Sequence, residues 1–169
     1  IPRYIDNSRH PQRVKYAHPL LESILTVTYG CIVYQEQVRQ VLQALAGYSF
    51  GRADVVRRAM AKKKHDVMEK EREIFVNGWI ENGEVKVDGC IRRGVSATVA
   101  NKIVDEMASF ASYAFNKSHA AAYALVAYQT AYLKCHYPQQ YMAALLTSVL
   151  DGGKVAGYIR ECGRLGIRV

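Results

Sequence analysis

Sixteen consecutive residues without a formal charge, 118–133, constrain this chain more than any other stretch. They follow a polar cluster, Asn116, Lys117, Ser118 and His119, and they end at Lys134, with Pro138 closing the segment. Alanine-rich composition favours helix, and Asn116 or Ser118 can cap the free amides at its start. About 19 residues over 118–136, rising about 1.5 Å each, make a rod of roughly 28 Å. A helix apolar on nearly every face has to be surrounded by protein, so a buried central helix is expected. Its N-terminus, where unpaired N–H groups and the dipole attract anions, carries Lys117 and His119 as well. The run is too short and too alanine-rich for a membrane span.

The rest of the chain must then supply the cover and the partner for that tip. Half of the 169 residues are hydrophobic, enough for one good core, or one core plus an appendage. The net charge of +8 is segregated: residues 1–64 carry +7, residues 65–114 carry −3, and residues 115–169 carry +4. Such segregation suggests an electropositive face for nucleic acid or phosphates, or else a merely soluble basic surface. Cys31, Cys90, Cys135 and Cys162 lie far apart, so neither a metal signature nor a disulfide framework is expected. No signal-peptide pattern is visible, and a cytoplasmic location is expected. A start at Ile1 rather than Met reads as a piece of a longer polypeptide.

In chain order, residues 1–28 read as a basic leading segment, punctuated by Pro2, Pro11 and Pro19, each restraining its predecessor to extended geometry. Residues 29–34 are β-prone, a short strand or an extended connector. Val38, Val41, Leu42 and Leu45 fall at helical spacing, and Gly47 stops that helix. Ser49 can cap the next, with Val55, Val56, Ala59 and Met60 on one face. Residues 65–81 continue as an amphipathic helix, with Val67, Met68, Ile74, Phe75 and Trp79 inward. Asn82-Gly83 and Asp88-Gly89 bracket a turn or small hairpin. Ser96 caps a helix to about residue 111, with Val99, Ile103, Met107 and Phe110 inward, and Tyr128 and Tyr132 of the central helix pack on one core face. Helices follow over Tyr141 to Leu146 and over about 154–164. The expected fold is mainly α, a multi-helix body around the buried central helix (about 118–136) with short strand or hairpin elements. The expected division is 1–28, 29–150 and 151–169.

Arg57, Arg58, Lys62, Lys63 and Lys64 put five cations within eight residues, an arrangement that repels itself unless an anion sits there. The bland reading is a solvated helix end whose dipole suits cations. No Walker loop, H-E-x-x-H motif or clustered carboxylates are present, so neither a catalytic residue nor a metal ligand is expected in this piece.

Phe115-Asn116-Lys117-Ser118-His119-Ala120-Ala121-Ala122-Tyr123, then Tyr128 to Lys134 and His136-Tyr137-Pro138, resemble the fingers region of the bacterial DNA polymerase III alpha subunit, a C-family replicative polymerase. So do Thr28-Tyr29-Gly30, residues 33–38, Leu45 to Ser49, Ala53-Asp54 and Arg57-Arg58-Ala59-Met60 followed by the three lysines. These blocks run from about residue 1 to the C-terminus; the stretch 79–94 looks like a longer turn than some members carry. The resemblance implies binding of incoming dNTP and primer-template DNA, with Mg²⁺ held by palm aspartates outside this piece, which alone would be inactive. Other replicase subunits would be partners through the rest of the polypeptide, with no membrane involved. It implies dNTP or phosphate contacts from Arg57, Arg58, Lys62, Lys63, Lys64, Asn116, Lys117, Ser118 and His119, and makes Tyr123 a candidate for base stacking. The alternatives are a non-catalytic helical nucleic-acid-binding module and a protein-interaction domain with incidental charge.

Overall fold

The computed structural model describes residues 1–61, 65–111, 115–149 and 151–169, which fall into two compact units, Ile1–Lys117 and Ser118–Val169. Among the described residues the fold is mainly α, with one small antiparallel sheet.

In the first unit, four amphipathic helices build the core. They are α3 (Gln35–Ala46), α4 (Phe50–Ala61), α5 (His65–Asn77) and α6 (Ala97–Ala111). Helix α3 packs on α4, α4 on α5 and α6, and α5 on α6. Val38, Val41, Leu42 and Leu45 of α3, Ile74 and Phe75 of α5, and Ile103, Val104 and Met107 of α6 are buried together. Burying each large side chain stabilises the unit by roughly 1.5–3 kcal/mol. Gly47 ends α3 in the left-handed region, at φ 73°, as its position after the apolar stripe predicts.

Helix α4 departs from expectation at one position. Ala53, Val56 and Met60 are buried, spaced i, i+3 and i+7, while Val55 is exposed. That stripe also includes position 57. An arginine therefore occupies the margin of the buried face.

His18, before Pro19, is extended at φ −151° and ψ 144°, as expected, and His10, before Pro11, is non-helical, while the three prolines themselves take a further role. Each starts a helical turn: Pro2 opens α1 (Pro2–Arg9), Pro11 opens the 3₁₀ turn Pro11–Arg13, and Pro19 opens Pro19–Leu21, which leads into α2 (Glu22–Leu25). Proline suits a first helical position, because that N–H has no partner within the helix and φ is already set.

Helix α5 ends at Asn77, short of Trp79, which lies instead in β1 (Trp79–Glu81), paired with β2 (Glu84–Val87). Asn82 and Gly83 form the turn with φ of 51° and 79°. The backbone crosses itself where β2 returns: a Cβ on Gly89 would meet the Gly78 nitrogen at 2.2 Å. Trp79 still packs against the core, as expected.

The second unit contains most of α7 (Lys117–His136), then α8 (Pro138–Ser148) and α9 (Gly152–Arg164). Asp151 caps α9, its Oδ1 accepting from Gly153 N at 3.0 Å. Helix α8 packs on α9, and Met142 and Cys162 are the buried apolar residues among those described here. Helix α7 buries none of its residues, which corrects the expected buried rod. Tyr128 is 66% exposed, so the rings of Tyr128 and Tyr132, 6.3 Å apart, touch each other on the surface rather than in a core. The physical reason is that alanine drives helix formation by its backbone preference alone, whether or not it is covered. Apolar composition states a demand for cover; it does not say which residues meet it.

Candidate functional site

Ser49 starts α4, its hydroxyl accepting from Arg52 N at 3.3 Å. Five residues on, Asp54 projects beside Arg57 and Arg58, the i+3 and i+4 positions that share its side of a helix. Asp54 Oδ1 accepts from Arg57 Nε at 3.0 Å, and Oδ2 accepts from Arg58 Nε at 2.7 Å and Nη2 at 2.5 Å. Arg39 of α3 approaches Oδ1 at 3.5 Å, and its guanidinium lies over the Phe50 ring. The hydrogen bonds from Arg58 and then Arg57 hold the Asp54 carboxyl below the usual carboxylate range despite its partial burial. The two arginines differ: the Arg57 side chain is 18% exposed and Arg58 is 68% exposed. Lys62, Lys63 and Lys64 lie outside the described residues.

The start of α3 ties this cluster to the start of α7. Arg57 Nη1 donates to Gln35 Oε1 at 2.6 Å, and Gln35 N donates to Phe115 O at 2.9 Å. Tyr34 and Phe115 form an isolated parallel bridge. Glu36 then accepts from Lys117 N at 3.1 Å, a carboxylate supplied from 81 residues away to the first turn of α7. The Lys117 ammonium lies 5.7 Å from the Tyr34 ring centroid. Beneath them Gln37 is buried and fully used. Its Oε1 accepts from Val33 N and Tyr34 N at 2.8 and 2.9 Å, and its Nε2 donates to Thr28 Oγ1 at 2.7 Å and Ile24 O at 3.2 Å. The first unit thus brings Arg57, Arg58 and Lys117 to one neighbourhood at the N-terminal end of α3.

Asn116 is exposed next to Lys117. Ser118, His119 and Tyr123 belong to the second unit and are exposed there, with the His119 and Tyr123 rings 4.6 Å apart. A cleft of about 710 Å³ in the first unit adjoins the connector through Val33 and Phe115, is lined also by Tyr4, Cys31 and the Arg3–Glu106 ion pair, and contains none of the expected site residues. Arg52, also on α4, serves packing: it pairs with Glu71 at 2.7 Å and lies between the Tyr48 and Trp79 rings.

This arrangement can bind a polyanion. Guanidinium forks suit phosphate oxygens, and an exposed cation beside a half-buried one gives both reach and rigidity. The same donor set does not suit Mg²⁺. Asp54 is surrounded by guanidinium groups and Glu36 is engaged by a helix amide. Among the described residues there is no group of three or more His, Cys, Asp or Glu side chains able to hold a metal ion.

Arg57, Arg58 and Lys117 are expected in the site from the sequence, whereas Asp54, Gln35, Glu36 and Gln37 carry no expected role. Asp54 was detectable, since acid at i with arginine at i+3 and i+4 is a local pattern. Gln37 caps the start of α3 locally, from the N3 position, whereas Gln35 and Glu36 act across 22 and 81 positions and leave no local signal.

Residues 1–83 match the bacterial DNA polymerase III alpha subunit finger domain family. The DNA polymerase III subunit alpha of Pasteurella multocida is 51% identical over 156 residues, covering 92% of this chain and 12% of the relative. Its counterpart in Escherichia coli K12 is 43% identical over 175 residues, covering all of this chain and 14% of the relative. That of Borreliella burgdorferi is 45% identical over 170 residues, with the same coverage. The chain therefore spans 12–14% of the length of these relatives.

Proposed function

The chain belongs to the bacterial DNA polymerase III alpha subunit family, and from that premise we propose that it binds the triphosphate of an incoming deoxynucleotide and contacts primer-template DNA during template-directed synthesis. The observation that carries this reading is the pair Arg57 and Arg58, oriented by one carboxylate and joined through Gln35 to the neighbourhood of Lys117. In the proposed reaction a primer 3′ hydroxyl attacks the α-phosphorus and pyrophosphate leaves. Arginine forks facing the β- and γ-phosphates would bind the ground state and stabilise charge that builds on the leaving pyrophosphate. Lys117 and Asn116 would add contacts at the start of α7, and Ser118 and His119 would do so one step further along. Tyr123 would offer a ring to the nascent base pair. Lys62, Lys63 and Lys64 are assigned to phosphates of nucleotide or DNA.

Mg²⁺, in this reading, is held by carboxylates elsewhere in the full polypeptide, so residues 1–169 alone bind nucleotide without polymerising it. Other replicase subunits engage the full polypeptide, and the protein works in the cytoplasm. No helix among the described residues is long and apolar enough to cross a membrane.

The test uses the complete alpha subunit with Arg57→Ala and Arg58→Ala. Loss of one charge-assisted contact of about 1.5–3 kcal/mol predicts a rise of roughly 10- to 100-fold in KM for nucleotide, a matching fall in kcat, or a split between them. Primer-template affinity should stay within about twofold, because backbone contacts are spread over many cations. Unchanged incorporation kinetics in both variants would remove the triphosphate assignment.

A further inference from the structure

We propose that Asp54 is a positioning residue for nucleotide binding: its one carboxylate, accepting from both arginine forks, sets the direction in which Arg58 presents its outer N–H groups to a triphosphate. This inference rests on the triphosphate reading above.

Donor accounting leads to it. A guanidinium has five N–H donors in a fixed plane. Arg58 gives the edge formed by Nε and Nη2 to Asp54 Oδ2, and that grip on one edge aims the other. With the side chain 68% exposed, the Nη1 side of the fork remains for a ligand. Arg57 is used differently. Its Nε meets Asp54, its Nη1 meets Gln35 across to α3, and it is largely covered. Arg57 therefore anchors the carboxylate from one side while Arg58 is held out from the other. A free arginine on a helix surface would lose much of its rotamer freedom on binding phosphate, and one already gripped along an edge has less to lose.

A carboxylate near a triphosphate also repels it, so the local charge balance decides whether Asp54 can help. Arg39, Arg57 and Arg58 surround this one carboxylate, which leaves the cluster net positive. The opposite possibility is that Asp54 competes with phosphate for the forks. These two roles predict changes of opposite sign in nucleotide KM.

The experiment compares Asp54→Asn, Asp54→Glu, Arg58→Ala and the Asp54→Asn/Arg58→Ala double variant. Each is made in the complete polymerase subunit and assayed with Mg²⁺, a defined primer-template and one complementary dNTP. KM and kcat for nucleotide, primer-template Kd by fluorescence anisotropy, and melting temperature are read for each. Asp54→Asn keeps the shape and one acceptor, and should raise nucleotide KM about tenfold with primer-template Kd unchanged. Asp54→Glu should recover part of that loss. The double variant should be no worse than Arg58→Ala alone, the non-additivity expected when one residue acts through another. A normal or lowered KM in Asp54→Asn, with Arg58→Ala impaired, overturns the inference while leaving the triphosphate reading intact. Additive losses overturn it too. Parallel loss of melting temperature, primer-template affinity and kcat in Asp54→Asn would make Asp54 a structural residue and likewise overturn it. If Arg58→Ala is itself silent, Asp54 has nothing to aim and the inference is overturned, while the triphosphate reading then rests on Arg57→Ala.

Discussion

Residues 1–117 and residues 118–169 are both helical, yet they satisfy their apolar residues in different ways. In the first, α3, α4, α5 and α6 each bury a stripe, and the stripes meet in one core containing Leu42, Phe75, Ile103 and Met107. In the second, Leu125, Val126, Tyr128 and Leu133 of α7 all remain exposed, and burial is limited to Met142 and Cys162 among the described residues. Segregation of apolar from polar positions decides which outcome a helix has within a given stretch of chain. Helix α3 alternates Val38, Val41, Leu42 and Leu45 with Glu36, Arg39 and Gln40, so it has one face to hide. Helix α7 has apolar groups on every side, so no single neighbouring helix could cover it. The first unit combines this core with Arg57, Arg58 and Lys117, while helix α7 leaves its apolar residues exposed.

The strongest challenge to that contrast is a paired truncation. Phe75→Ala should cost about 3–5 kcal/mol, because a large side chain at 1% exposure leaves a cavity. Leu125→Ala, at 57% exposure, should stay within about 0.5 kcal/mol. Urea unfolding of each variant checks this, and similar costs would erase the distinction.

Thiol labelling sharpens the same contrast at single residues. Burial pushes the Cys90 thiol up to about 12, whereas Cys135 lies exposed on α7. At pH 8 an alkylating reagent should modify Cys135 far faster than Cys90, which is buried from the reagent and forms little thiolate. Mass spectrometry of timed samples would read the ratio, and comparable rates would place α7 under cover.

The smallest expected effect lies in the acid limb of stability. Arg58 and then Arg57 hold Asp54 below the ordinary carboxylate range in the first unit, and Lys134 and then Arg164 do the same for Glu161 in the second. A folded-state value depressed below the unfolded one gives stability that is full above the ordinary value near pH 4 and is lost as pH falls through the folded value. Melting temperature should therefore fall on acidification below about pH 4, and fall less in Asp54→Asn and in Glu161→Gln. Parallel curves for all three proteins would mean these pairs contribute nothing.

Much of the fold follows from local chemistry. The α3 and α6 stripes, the Gly47 stop, the Ser49 position and the Asn82-Gly83 turn are read from spacing and residue type, because each depends on neighbours within one or two turns. The same local rules fall short where one residue has two uses. Pro2, Pro11 and Pro19 each restrain the residue before them and also open a helical turn, and only the first use is expected from the sequence. Ala-rich α7 is helical by propensity, and its exposure could not be read from that propensity.

For the candidate site, the sequence by itself determined which cations are present, that α4 carries Arg57 and Arg58 side by side, and that α7 begins at a polar cluster. Tertiary structure alone decided that Gln35 receives Arg57 and that Glu36 reaches the first turn of α7 at Lys117. The physical reason is range. Propensity, capping and helical periodicity act over a few residues, while these hydrogen bonds join groups 22 and 81 positions apart that only folding of the core brings within 3.1 Å.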